Sequence, residues 1–102
     1  MKGNNTIMYD EIIKLHKLLN DANIPNTLQP QFDGWQIIYS CDGKKRIADV
    51  IEHRGSYGAD ENLLEIMGLL TEDEKADDDV LGYLTAENVF ERIYKHWEAN
   101  KQ

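Results

Sequence analysis

Helical periodicity at both ends of this chain, with alternating apolar residues between them, is the feature that most narrows its folding options. Met8, Ile12, Leu15, Leu19 and Ala22 recur at spacings of three and four, while Lys14, Lys17, Asn20 and Asp21 take the other side. This pattern predicts a first helix over 7–22, capped by Thr6 or Asn5, with Asp10 and Glu11 in the turns where the helix dipole favours negative charge. Residues 1–6 are polar and expected to fray. Pro25 stops the helix and pushes Ile24 toward extended geometry. Near the other end Ala86, Val89, Phe90, Ile93 and Trp97 form a second stripe, which predicts a helix over 86–99 with Thr85 as its cap.

Between the helices the pattern reads as a meander. Thr27 to Phe32 forms a first strand, which Pro25 and Pro30 assign to a sheet edge. Asp33-Gly34 is a two-residue turn signal. In the next strand Trp35, Ile37, Tyr39 and Cys41 share one face, and Gln36, Ile38 and Ser40 share the other. Asp42-Gly43-Lys44-Lys45 turns the chain again. Arg46 to His53 then sets Ala48, Val50 and Glu52 against Ile47, Asp49, Ile51 and His53. Residues 54–58 form a Gly-rich loop. Residues 63–67 fit a strand or a helix by periodicity, and the bracketing glycines favour a strand. Thr71-Glu72-Asp73-Glu74 has the form of a capping box, which predicts a short helical turn over 71–77. The expected fold is a single α+β domain over 1–102: a helix, a three- to four-stranded antiparallel meander and a C-terminal helix, with both helices on one sheet face.

At 102 residues and 41% hydrophobic, the chain can build one hydrophobic core without disulfides or metals. Its net charge of −8 removes the basic face that nucleic-acid binding and docking on anionic lipid both require. The helix–strands–helix order is that of double-stranded-RNA-binding domains, which set lysines at the start of the last helix. Here that position reads Thr85-Ala86-Glu87-Asn88, so the topology fits and the electrostatics do not. Cys41 is the only cysteine, so no intrachain disulfide can form. With no apolar leader and no run near the roughly 18–20 residues of a membrane span, the cytoplasm is the expected compartment.

His53-Arg54-Gly55-Ser56-Tyr57-Gly58 is the most suggestive segment, because its polar groups and flexible backbone could hold a small anionic ligand. The candidate ligand-binding residues are His53, Arg54, Ser56 and Tyr57, with Trp35 and Tyr39 as an aromatic wall. The bland alternative is a solvated connection beside core aromatics. Ser56, His53 and Glu52 are the residue types of a nucleophilic triad, but a strand sends Glu52 and His53 to opposite faces. No spacing supports catalysis, so the chain reads as a non-enzyme. His16, His53 and His96 lie on separate elements, and the acidic run Glu72 to Asp79 lacks the alternating ligands and central Gly of a calcium loop, so no metal or cofactor is expected.

Four stretches carry a resemblance. Tyr9-Asp10-Glu11-Ile12-Ile13-Lys14-Leu15-His16 and Phe32-Asp33-Gly34-Trp35-Gln36-Ile37 are the first two. Ile51-Glu52-His53 with Ser56-Tyr57-Gly58 is the third, and Leu64-Glu65-Ile66-Met67-Gly68-Leu69-Leu70 leading to Leu84-Thr85-Ala86-Glu87-Asn88-Val89-Phe90 is the fourth. Over about 8–98 the chain resembles small proteins encoded in phages and prophages of Firmicutes. The resemblance brings no catalytic residues; it implies an accessory protein acting on host or phage machinery. Together with the acidic surface it gives the leading expectation, an interaction module for a protein partner with a basic surface. A small-ligand binder using the 53–58 loop is the alternative. Homodimerisation by sheet pairing is the expected means of covering an open edge strand.

Overall fold

A computed structural model describes residues 9–40, 42 and 44–101. The proposed caps Thr6 and Asn5, the frayed start, Met8 of the first stripe, Cys41 and Gly43 lie outside the described residues. Five antiparallel strands make one sheet in chain order: β1 (Asn26–Gln31), β2 (Gly34–Tyr39), β3 (Ala48–Glu52), β4 (Leu64–Met67) and β5 (Val80–Leu84). Helix α1 (Glu11–Asp21) precedes the sheet, a short α2 (Glu72–Asp77) joins β4 to β5, and α3 (Ala86–Asn100) ends the fold. The expected α+β meander between two helices is what forms, with one strand more than the upper expectation. That strand, β5, has Gly82 at its centre and a register shift against β4, so its sequence does not alternate cleanly.

Sheet register explains the core. Trp35, Ile37 and Tyr39 stand opposite Glu52, Val50 and Ala48, and Val50 stands opposite Ile66. These side chains, with Leu64, face the helices, where Ile12, Leu15 and Leu19 of α1 meet Ala86, Val89 and Ile93 of α3. Trp35 and Trp97 are half-buried at the rim of this cluster. The other sheet face carries a polar ladder across three strands. Gln29 donates to Gln36 at 2.6 Å, Gln36 donates to Asp49 at 2.6 Å, and Arg46 holds the second Asp49 oxygen at 3.0 Å.

The two long helices run side by side with the same polarity. Near their starts Glu11 Oε2 accepts the Ala86 N–H at 2.6 Å, and Lys14 pairs with Glu87 at 2.6 Å. Toward their ends His16 reaches Asn26 at 2.8 Å, and His96 reaches the hydroxyl of Tyr39, which lies opposite Asn26 in the sheet. Both positive dipole ends therefore lie at one pole of the molecule, the pole where β3 ends.

Three local expectations are corrected. Among the described residues the helix expected over 7–22 begins only at Glu11, leaving Tyr9 and Asp10 outside it, with Asp10 in the N-cap position making no side-chain cap bond. The first turn is Phe32–Asp33, one residue earlier than the Asp33-Gly34 signal indicates; Gly34 is already in β2, paired with Gln31. Phe32 adopts φ 53° to make that turn. Gly34 answers a different demand, because a Cβ there would lie 2.0 Å from the Glu52 carbonyl oxygen. Strand β3 also stops at Glu52, leaving His53 in the loop. The expected capping box at Thr71–Glu74, the Thr85 cap and the strand within 63–67 all form.

Replacing Gly34 by Ala should cost about 3 kcal/mol or more, because backbone must move to admit the methyl group. Gly55→Ala is the control: φ is +96° but nothing lies within 4 Å, so only the roughly 1 kcal/mol conformational cost applies. Urea unfolding of both variants checks the contrast.

Candidate functional site

Sequence and topology bring four of the six candidate residues to the pole described above. His53 and Ser56 are buried, whereas Arg54 and Tyr57 are exposed. The turn between them closes on itself. Ser56 Oγ accepts the His53 N–H at 3.1 Å and donates to the His53 carbonyl at 2.8 Å. The His53 ring meets the Arg54 carbonyl through Nδ1 at 2.9 Å, so Nδ1 carries the proton, and Phe32 packs edge-on against the ring at 4.9 Å. The Ser56 hydroxyl is thus bonded to backbone and not to an imidazole.

Asp33 ties this loop to the first hairpin. One oxygen accepts the Arg54 N–H at 2.8 Å; the other accepts the Tyr9 hydroxyl at 3.0 Å and lies 3.5 Å from the Arg54 guanidinium. The Arg54 N–H is the main cause that holds the Asp33 carboxyl below its ordinary range. Tyr57 donates its N–H to Glu65 at 2.8 Å and accepts the Tyr83 N–H at 3.3 Å. Between Tyr9, Arg54, Ser56, Ala59 and Asp60 lies a recess of about 240 Å³.

Trp35 and Tyr39 do not join this loop as an aromatic wall. Both side chains are on the helix-facing side of β2, and Tyr39 is fully buried with its hydroxyl 2.8 Å from His96 Nδ1. Trp35 borders Glu52 across the strand pair, and Tyr39 lies four residues further along, roughly 13 Å away.

The residue that dominates this pole is Glu52, which is not among the six candidate ligand-binding residues. Its side chain is fully buried beneath the start of α1. Oε1 accepts the Ile12 N–H at 3.0 Å, and Asn62 accepts the Glu11 N–H at 3.2 Å while its own amide donates to Asp10. Side chains 40 and 51 residues away therefore satisfy the donors that Asp10 leaves open. Glu52 Oε2 is buried with no hydrogen-bond partner among the described residues. Burial pushes the Glu52 carboxyl up to about 7, the Asp10 and Glu11 charges add to the rise, and the Ile12 N–H opposes it. Proton uptake is the chemistry this arrangement offers. The only sequence signal for it is a lone acid at an inward position of a strand whose other inward residues, Ala48 and Val50, are apolar.

A larger recess lies elsewhere, a groove of about 610 Å³ lined by Leu69, Leu70, Leu84, Arg92, Lys95 and His96 among others. Its Arg92 is engaged by both Glu74 oxygens, at 2.9 and 2.7 Å, and by the Leu69 carbonyl at 2.9 Å. That fork drives the Glu74 carboxyl down to about 2. Among the described residues no group of three or more His, Cys, Asp or Glu side chains is placed to hold a metal ion. No described helix is long and apolar enough to cross a membrane.

The raised Glu52 value sets a signed pH dependence. Between about pH 4.5 and 7 the folded state keeps a proton that the unfolded state has lost, so stability falls as pH rises. The slope contributed by this group reaches about 1.4 kcal/mol per pH unit at its steepest. Glu52→Gln keeps an acceptor for Ile12 without the charge. It should match the wild type within about 1 kcal/mol at pH 5, exceed it at pH 8 and lose the slope, as read by urea unfolding across that range.

No protein-family model, curated protein or solved structure matches this chain.

Proposed function

We propose that this chain is a non-enzymatic interaction module that binds a protein partner through a basic patch on that partner, in the setting of a phage or prophage accessory protein acting on host or phage machinery. One observation carries the reading: the acidic ridge formed by α2 and the residues after it. Glu72, Asp73, Asp77, Asp78 and Asp79 are all exposed, and α2 buries none of its residues. A helix that buries nothing contributes little to the core, yet this one is firmly placed. The Thr71–Glu74 capping box fixes its start, and the Glu74–Arg92 fork clamps it to α3. Preorganised carboxylates of one sign steer and select a basic partner. A surface that imitates the phosphates of DNA, and so occupies a nucleic-acid-binding protein, is one form of this reading.

The small-anion alternative has less support from the geometry. The recess beside the 53–58 loop is smaller than the roughly 300–1,000 Å³ of ordinary ligand sites, and the Arg54 guanidinium is directed at Asp33.

Immobilised protein exposed to a bacterial lysate should retain a basic protein at about 50 mM salt and lose most of it by about 300 mM, as screening shortens the reach of the ridge. The variant D77K/D78K/D79K should retain none of it while melting as the wild type does. Equal recovery by both forms, or no basic protein with either, contradicts the reading.

A further inference from the structure

The two edges of the sheet differ. β5 follows three consecutive aspartates, carries a register shift and holds Tyr83 at φ 61°, all of which obstruct pairing with another strand. β1 at the other edge reads Asn-Thr-Leu-Gln-Pro-Gln, without a charge in a chain of net charge −8. Edge strands are ordinarily protected by charge or by proline; β1 has no charge, and its one proline, Pro30, lies near its end and leaves Asn26 and Leu28 unprotected.

Hairpin geometry shows which groups β1 presents outward. Phe32–Asp33 is a two-residue turn, so its closing pair Gln31 and Gly34 exchanges both hydrogen bonds. The backbone groups of Gln31, Gln29 and Thr27 therefore point at β2, and those of Asn26, Leu28 and Pro30 point away from it. Pro30 stands where its missing N–H costs the hairpin nothing. Among the described residues no backbone hydrogen bond covers the outward groups of Asn26, Leu28 or Pro30.

We infer that β1 is a self-association edge, on which two copies of this chain pair antiparallel about a two-fold axis at Leu28. Each Leu28 exchanges both of its outward bonds with Leu28 of the second copy, and each Asn26 N–H donates to the Pro30 carbonyl opposite. The pairing makes four hydrogen bonds and a continuous ten-stranded sheet, and it sets no charge against a like charge within the strand. Shifting the register by one pair toward Asn26 makes as many bonds but separates the leucines. Leu28 decides between them: its side chain is half-buried at the margin of the core, and apposition across the axis completes its burial. Phe32, 84% exposed at the hairpin tip, comes alongside the Ile24–Pro25 segment of the second copy. A single strand pair buries less than a standard interface, which places the dimer in the weak, reversible class.

Sedimentation equilibrium between about 10 μM and 1 mM should show the mass rising from 11.8 kDa toward twice that value. Over the same range amide exchange at Asn26 and Leu28 should slow several-fold, while exchange at Thr27 and Gln29, already bonded to β2, should not change. The variant T27E/Q29E, which sets carboxylates against each other across the axis, should stay monomeric. A wild type that is monomeric at 1 mM overturns the inference. So does a dimer whose exchange at Leu28 is independent of concentration, because it forms through another surface.

Discussion

A carboxyl group at the end of β3 lies under the first turn of α1 and accepts a backbone N–H from it, and the order of this pole follows from that contact. Asp10 at the N-cap of α1 makes no side-chain cap bond, and the helix donors of Ile12 and Glu11 are met by Glu52 from the sheet and Asn62 from the loop that follows. Because α3 begins at the same pole, its first donor is met in turn by Glu11 of α1. Two helices of like polarity place two positive dipole ends side by side; the Glu11 carboxylate answers them with charge, and Glu52 contributes a hydrogen-bond acceptor. The start of α1 is served by side chains of other elements, and α3 adds the Glu11 carboxyl to its own Thr85 cap, so helix placement and sheet placement are mutually dependent. The same contact buries Glu52 Oε2 without a partner among the described residues, and burial keeps a proton on the group up to about pH 7.

Much of the fold was legible because period and capping chemistry are local. The stripe of α3, its Thr85 cap, the capping box of α2 and the alternation of β2 and β3 all follow from residues within a few positions of one another. What escaped the sequence was set by contacts between distant residues. The start of α1 is fixed by side chains 40 and 51 positions away. Gly34 looked like half of a turn, but its lack of a side chain serves the close approach of the β3 backbone. Gly82, which hid β5 from the reading of alternation, accommodates Tyr57, whose Cβ would lie 2.2 Å from a Cβ at that position.

The candidate site was legible in part. His53, Arg54 and Ser56 do meet in one loop, but Ser56 bonds the His53 backbone, His53 Nδ1 bonds the Arg54 carbonyl and the Arg54 N–H bonds Asp33, with Phe32 packed edge-on against the imidazole. Trp35 and Tyr39 alternate to the helix side, and Tyr39 bonds His96 there. Pattern alone could not separate a ligand loop from a self-closed turn, since both call for small, polar residues beside glycine. Glu52 was visible as a residue but not as a cap, because the N–H groups it serves lie in another element. The acidic ridge at α2 is turned outward to solvent, and the uncharged strand β1 forms one edge of the sheet.

The most direct measurement of this arrangement is a carbon-13 NMR titration of the Glu52 side-chain carboxyl in the intact protein, followed from pH 3 to 9. A midpoint near 7 is expected from a carboxyl sealed beneath α1. A midpoint near 4.5, the ordinary glutamate value, would mean that water reaches Oε2. In that case neither the tight join between α1 and β3 nor the pH dependence drawn from it would stand.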